Sequence, residues 1–251
     1  MSGHNKWSSI KHRKGAQDAK RSKVFTKIIK EITVAARTGG GDPSGNPRLR
    51  RAIDDAKAAN MPSDNVERAI KKGTGELEGT QYEELTYEGV GPDGALFLVE
   101  IVTDNRNRTA SEVRKIFDKH DGQLGQSGSA AWAFEEKGIV KLPASAATEE
   151  QLFETAVGAG AEDLEKVGDQ WVVTTPRDEL DAVRSAVEDA GIEVQEARLA
   201  FIPKTPKLVD GKTADRLVDL FEALDDHDDV QNVFADFELS DQALAQLEQR
   251  A

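Results

Sequence analysis

The chain has no cysteine among its 251 residues. That excludes disulfides, thiolate metal ligands and a cysteine nucleophile, and it fits a reducing compartment. Aromatic residues are scarce at 6%, so the cores must lean on Val, Ile, Leu and Ala. No apolar run approaches the roughly 20 residues that a membrane-spanning helix needs. The N-terminus is basic and lacks the apolar stretch of a secretion signal. These absences point to the cytoplasm, with no membrane contact. The four histidines, His4, His12, His120 and His227, lie far apart, and no H-E-x-x-H, P-loop or G-x-S-x-G motif is present. The chain therefore reads as a non-enzyme with no catalytic residue, no cofactor and no metal, an enzyme whose site is assembled only in space being the alternative left open.

Two motifs invite stronger readings and fail on context. Gly89 to Gly94 spells G-x-G-x-x-G, but a Pro-Asp-Gly turn followed by ALFLVEIV is a hairpin. A dinucleotide site needs a helix there. The acidic run Asp225-Asp226-His227-Asp228-Asp229 lacks the glycine and the spaced ligands of a calcium loop, so it reads as a solvated helix end and turn.

What is abundant is charge, and it is unevenly placed. The formal net charge is -13. Residues 1–72 nevertheless hold 17 Lys and Arg against 7 Asp and Glu, and the remainder holds 16 against 39. A split of +10 against -23 implies one segment that seeks polyanions on a body that repels them, or a basic part that docks on the acidic part.

The elements follow from periodicity. Residues 1–14 form an arm. From Gln17 to about Arg37 the pattern is helical, with Phe25, Ile29, Ile32 and Ala36 on one face and Lys20, Lys23, Lys27 and Lys30 on the other. Glycines 39–41 stop it. A second helix starts at Asn46-Pro47, buries Leu49, Ile53 and Ala56, and shows Arg48, Arg50 and Arg51. A third is capped by Asp64 and ends at Lys71-Lys72-Gly73. After the hairpin, Thr109 and Glu112 form a capping box for a helix from about Ala110 to Lys119, and SAAWAFEE reads as a strand. Residues 138–203 follow the order β-α-β-β-α-β, a ferredoxin-like unit. PKTPK is a linker, followed by a helix and a strand that complete the middle domain.

The expected fold is therefore α+β in three domains. The basic helical domain with its arm occupies 1–78, and the middle α/β domain 79–136 and 205–240. The inserted ferredoxin-like domain occupies 137–204, with a tail helix at 241–251. The expected nucleic-acid contacts are Lys6, Trp7, Lys11, His12, Arg13 and Lys14 of the arm, the stripe Lys20, Lys23, Lys27 and Lys30, then Arg48, Arg50, Arg51, Arg106 and Arg108. Lysines and arginines neutralise phosphates and release counterions. Trp7 either stacks on an unpaired base or pins the arm to the helices. Arg106 and Arg108 either contact phosphate at a helix start or form surface salt bridges.

Three strings, GHNKWSSIKHRKGAQDAKRSKVFTKIIKEI, GGGDPSGNPRLRRAIDDAKAANMPSDNVERAIKKGTG and TDNRNRTASEVRKIF, resemble the YebC/PmpR family. The resemblance covers essentially the whole chain. It implies a helical N-terminal domain and two α/β domains, one inserted in the other. Bacterial members carry the label of probable DNA-binding transcriptional regulator. The mitochondrial relative is a translational activator of cytochrome c oxidase subunit I, and a further view places the family on the ribosome, relieving stalls at sequences such as proline runs. The residues favour the ribosomal reading, with ribosomal RNA or tRNA bound by the N-terminal domain and ribosomal proteins met by the acidic domains. No recognition helix of a helix-turn-helix is visible, lysines in a stripe specify little sequence, and a body of net -23 is repelled by extended duplex DNA. DNA-binding transcriptional regulation is the alternative. No heptad seam is visible, so a monomer is expected.

Overall fold

The computed structural model describes residues 17–249, with side chains described for residues 21–247. The described chain divides into two compact units. One runs up to Ala131 and includes Lys212–Val233; the other comprises Trp132–Gly211 and the segment from Phe234 onward.

The first unit opens with three helices, α1 (Gln17–Gly39), α2 (Pro47–Ala58) and α3 (Ser63–Thr74). Ile32, Ala35, Ala36, Leu49, Ala52, Ala56 and Ala69 form their buried core. Alanines at these positions bring the helix axes close, and Gly73 brings them closer: a Cβ there would lie 2.4 Å from the Thr33 carbonyl oxygen. Asn46 ties the first two helices together. Its Oδ1 accepts from Leu49 N–H at 3.1 Å, capping α2, and its Nδ2 donates to the carbonyls of Ala35 at 2.8 Å and Gly40 at 2.9 Å. The Asn46-Pro47 start is as expected from sequence. The start of α3 is not: Pro62 occupies the cap position with no side-chain cap, and Asp64 lies in the first turn. There its charge suits the positive helix end without a direct bond.

The helices are followed by the hairpin β1 (Glu83–Val90) and β2 (Leu96–Thr103), then α4 (Arg106–Lys119) and β3 (Gln123–Leu124). The hairpin is antiparallel, with register Glu83↔Thr103 through Val90↔Leu96. Its turn holds Asp93 at φ 58° and Gly94 at φ 74°, which excludes a helix after the glycines and bears out the hairpin reading. Late in the chain α7 (Gly211–Asp225) and β9 (Val230–Ala235) return, and the sheet order is β3-β1-β2-β9. Phe97 and Phe117 meet edge-to-face at 5.9 Å. Gly89 is required beneath them, because a Cβ would lie 2.4 Å from Phe117 Cζ.

The helix α4 begins earlier than its sequence suggested. Asn105 is the N-cap and accepts from Arg108 N–H at 3.1 Å. Thr109 lies inside the helix, fully buried. Its hydroxyl serves a carboxylate from another element, as described below.

The second unit carries β4 (Phe134–Pro143), α5 (Glu149–Gly158), β5 (Asp163–Val167), β6 (Gln170–Pro176), α6 (Leu180–Asp189) and β7 (Glu196–Pro203). The sheet order is β5-β6-β4-β7 and every neighbouring pair is antiparallel, which is the ferredoxin-like arrangement. Two expectations need correction. SAAWAFEE is not a strand of its own: Ala131–Ala133 form a 3-10 turn with Trp132 67% exposed, and β4 then runs unbroken through Gly138. That glycine is there for space, since a Cβ would lie 2.3 Å from Thr175 Oγ1 and 2.8 Å from Leu180 Cβ. The PKTPK segment is likewise more than a linker. Its last lysine opens β8 (Lys207–Val209), which pairs in parallel with β10 (Phe237–Leu239) before α8 (Asp241–Gln249). Within this unit, burial works against the charge of Glu196, but Arg198 and Lys141 outweigh it and hold the carboxyl down to about 2.

One buried carboxylate shapes the first sheet. Glu88 is 7% exposed and accepts the backbone N–H groups of Gly128 and Ala130 at 2.6 Å and Ala131 at 2.8 Å. Burial opposes its ionisation, yet these three amides hold its pKa below the usual carboxylate value. Glu88→Ala strands three inward-facing donors and is expected to destabilise the chain by about 3 kcal/mol, measured by urea unfolding. A loss below about 1 kcal/mol would mean that the loop finds water instead.

Candidate nucleic-acid interface

Lys23, Lys27 and Lys30 stand at i, i+4 and i+7 on α1, so they form one line along two turns of the helix. The sequence reading expects this line to be open. It is met by the acidic run that follows α7. Lys23 Nζ donates to the Asp226 carbonyl at 2.9 Å and stands 3.6 Å from its carboxylate. Lys27 Nζ donates to the Asp225 carbonyl at 2.9 Å and to Oδ1 at 3.1 Å. Lys30 Nζ donates to the carbonyls of Val102 at 3.1 Å and Asp228 at 2.8 Å and to Asp229 Oδ1 at 2.7 Å. Two of these acceptors are the carbonyls of Asp225 and Asp226 at the C-terminal end of α7, where cations complement the helix dipole.

The pairs grow drier along the line. Side-chain exposure is 44% and 69% for Lys23–Asp226, 21% and 29% for Lys27–Asp225, and 8% and 8% for Lys30–Asp229. Screening by solvent leaves the first pair weak. The last is a buried pair with further partners. Asp229 Oδ2 accepts from Thr109 Oγ1 at 2.7 Å, Arg108 at 2.8 Å and Thr103 Oγ1 at 3.2 Å. Its backbone carbonyl accepts from Val102 N–H at 2.9 Å, and its own N–H donates to His227 Nδ1 at 3.1 Å. Desolvation disfavours the Asp229 carboxylate, but hydrogen bonds from Lys30, Arg108 and Thr109 reverse that and hold its pKa far below the usual range. The run 225–229 is thus no simple solvated turn, because Asp229 is 5% exposed.

Glu112, His227 and Asp229 also approach within 4.8 Å of one another, a spacing that suits a metal ion. Their donor atoms are already engaged inside the chain. Both oxygens of Asp229 face cations or hydroxyls, His227 Nδ1 takes the Asp229 N–H, and His227 Nε2 lies 3.0 Å from Glu112 Oε2.

The other expected contacts divide. Arg48 is bidentate to Glu31 at 2.6 and 2.9 Å and also reaches Glu84, joining α1, α2 and β1. Burial lowers its pKa, but these carboxylates more than restore it. Arg50 is half-buried and reaches the Pro43 carbonyl at 3.5 Å, and Arg51 is half-buried. Arg106 is exposed, with its backbone carbonyl accepting from the Tyr87 hydroxyl at 3.3 Å. Arg108 salt-bridges Asp104 at 2.9 Å and Asp229 at 2.8 Å, the salt-bridge reading of that residue. Lys6, Trp7, Lys11, His12, Arg13 and Lys14 lie outside the described residues, as does the side chain of Lys20.

Sequence reasoning allowed that the basic part docks on the acidic part but did not identify which residues partner the ladder. The signal was present, as a line of lysines at helical spacing and one short run rich in aspartate, but nothing local joins residues about 200 positions apart.

A helical domain that gathers the basic residues, a hairpin sheet and a ferredoxin-like unit define a three-domain α+β protein. A model described as the TACO1/YebC protein N-terminal domain matches residues 5–76, and one described as the TACO1/YebC second and third domain matches residues 82–237. The chain belongs to the TACO1/YebC family. A relative in Desulfosudis oleivorans is 57% identical over 241 residues, 96% of this chain and 98% of that one. One in Geobacter sp. strain M21 is 54% identical over 247 residues, 98% of this chain and 100% of that one. Both are named as probable transcriptional regulatory proteins. The crystal structure of a conserved hypothetical protein from Aquifex aeolicus matches with a TM-score of 0.84 at 47% identity, covering 89% of this chain and 93% of that one.

Removing one side of the buried pair tests its weight. Asp229→Ala leaves Lys30 buried beside two carbonyls and is expected to cost about 3–5 kcal/mol. The effect must depend on pH. The folded-state pKa of Asp229 lies below the ordinary 3.8, so the unfolded chain binds the proton first. The advantage of the native chain over Asp229→Asn is therefore complete above about pH 5 and shrinks as pH falls below about 4. Denaturant titrations at several pH values measure both. An advantage that stays constant down to pH 2 contradicts the network.

Proposed function

We propose that this protein is a non-enzymatic regulator of gene expression that acts by binding nucleic acid, and that its working ligand is ribosomal RNA or tRNA. In that role it assists ribosomes through stalling sequences such as proline runs. The observation that carries the reading is the partition of charge, +10 within residues 1–72 and -23 beyond them. A basic domain of this size binds phosphate through counterion release, while the acidic body limits the approach of a long duplex. The arm supplies Lys6, Lys11, Arg13 and Lys14 for phosphates, and Trp7 and His12 for stacking on unpaired bases. By its place in the sequence, Lys20 joins the same set of phosphate contacts. Lys23 and Lys27 reach phosphate by exchanging their aspartate partners, whereas Lys30 and Arg48 hold the fold. The acidic domains are left to face basic ribosomal proteins, with the protein acting as a monomer.

The names of the relatives favour a second reading, a DNA-binding transcriptional regulator. Ultraviolet crosslinking in growing cells, followed by purification and sequencing of attached RNA and DNA, separates the two. The ribosomal reading expects enrichment at a few discrete positions of ribosomal RNA or tRNA. Enrichment at promoter DNA over a background of RNA establishes the other.

A further inference from the structure

The cations of the helical domain can be sorted by what they already hold. Between residues 21 and 72, Lys23, Lys27, Lys30, Arg48 and Lys57 are paired with carboxylates. Arg21 lies 5.3 Å over the Phe25 ring, Arg50 reaches the Pro43 carbonyl, and Arg51 is engaged. Four remain, Arg37, Arg68, Lys71 and Lys72. All four are exposed, and no side-chain partner is found for them among the described residues.

These four occupy the ends of two helices that touch. Arg37 is in the last turn of α1, and Lys71 and Lys72 are in the last turn of α3. The ends are in contact at Gly73, where a Cβ would lie 3.2 Å from the Arg37 backbone nitrogen. Arg68 and Lys72 are four residues apart and share a face of α3. The stem of Lys72 lies along Gly79, where a Cβ would come within 3.1 to 3.2 Å of Lys72 Cβ, Cγ and Cδ. Gly40 follows α1 at φ +86° and Gly75 follows α3 at φ +84°. A Cβ at either position would meet nothing within 4 Å beyond the flanking residues.

Opposing features are present. Cations in a last turn complement the helix dipole without any ligand, and Asp64, Glu67 and Glu76 belong to the same segment. The dipole accounts for Arg37, Lys71 and Lys72 but not for Arg68, a turn further in. Glu76 is engaged by the Thr74 hydroxyl at 3.0 Å.

We propose that this corner, with Arg37, Arg68, Lys71 and Lys72 around the two turn glycines, is a phosphate-binding surface that takes the sugar–phosphate backbone of a nucleic acid. The inference rests on the nucleic-acid reading above and adds to it contacts at the C-terminal ends of α1 and α3, beyond the aspartate-paired lysine ladder. Phosphate contacts of this kind position a strand and carry no sequence information.

The test is fluorescence anisotropy with the full-length protein, using a labelled mixed-sequence single-stranded RNA and a labelled duplex DNA across a range of salt. The variant is R68E/K71E/K72E. The control is K57E/K166E/K212E, which makes the same charge change at scattered exposed positions. The corner variant should bind at least about ten-fold more weakly, and its salt slope should fall by about 2 on the single strand and about 3 on the duplex as three phosphate contacts are lost. The control should stay near wild type, and melting temperatures should agree across all three. Loss on the RNA, the DNA or both supports the surface and identifies its source of phosphate. Wild-type binding with a corner variant that matches the control overturns the surface and leaves the nucleic-acid reading standing. A wild-type protein that binds neither probe overturns both.

Discussion

The first unit depends on one carboxylate. Asp229 gathers Lys30 from α1, Arg108 and Thr109 from α4 and Thr103 from the end of β2. Its own main chain bonds to Val102 and His227. Each of these groups is costly to bury alone. Together they satisfy one another, and the geometry that does so is narrow, because hydrogen bonds weaken steeply outside their preferred range. Against an apolar replacement such a network adds little net stability, but breaking it leaves uncompensated buried charge. It fixes the rotation of α1 about its own axis, since only one line of lysines can meet the run that follows α7.

This constraint explains a conflict between composition and structure. Seen along the chain, the lysine stripe belongs to a basic domain and the aspartate run to an acidic body. In the folded unit they neutralise each other, so the basic surface that remains is smaller than the charge count suggests and lies elsewhere. The docking interpretation of the charge split therefore holds for the lysine line of α1. The gradient of exposure along the ladder sets how firmly each lysine is held, loosest at Lys23 and tightest at Lys30.

Much of the architecture was legible because its causes are local. Asn46 before Pro47, the Pro-Asp-Gly turn of the hairpin and the alternation of residues 138–203 each act over a few positions, and each produced the expected element. Failures had two sources. Where competing local signals were close, such as Pro62 against Asp64 or Asn105 against Thr109, the wrong residue was chosen as cap. The hydroxyl of Thr109 was free to serve Asp229 because Asn105 had already closed the helix. Where the cause was tertiary, no pattern revealed it. Gly138 reads as a break in sequence and is a clearance for α6, and the amide triad that holds Glu88 is invisible until the loop folds. The candidate site was legible in residue type but not in availability, since only the fold decides which cations are already engaged.

The separation between Lys30 and Asp229 is 199 residues. Synthesis at roughly 5–20 residues per second places about 10–40 s between the appearance of the two. Throughout that interval the helical domain can form on its own apolar core, since Ile32, Leu49 and Ala69 are all present by residue 72. Its lysine line stays uncovered until the last tenth of the chain emerges. Every copy of the protein thus passes through a period, while still attached to the ribosome that makes it, in which its basic face is larger than it will be in the finished molecule.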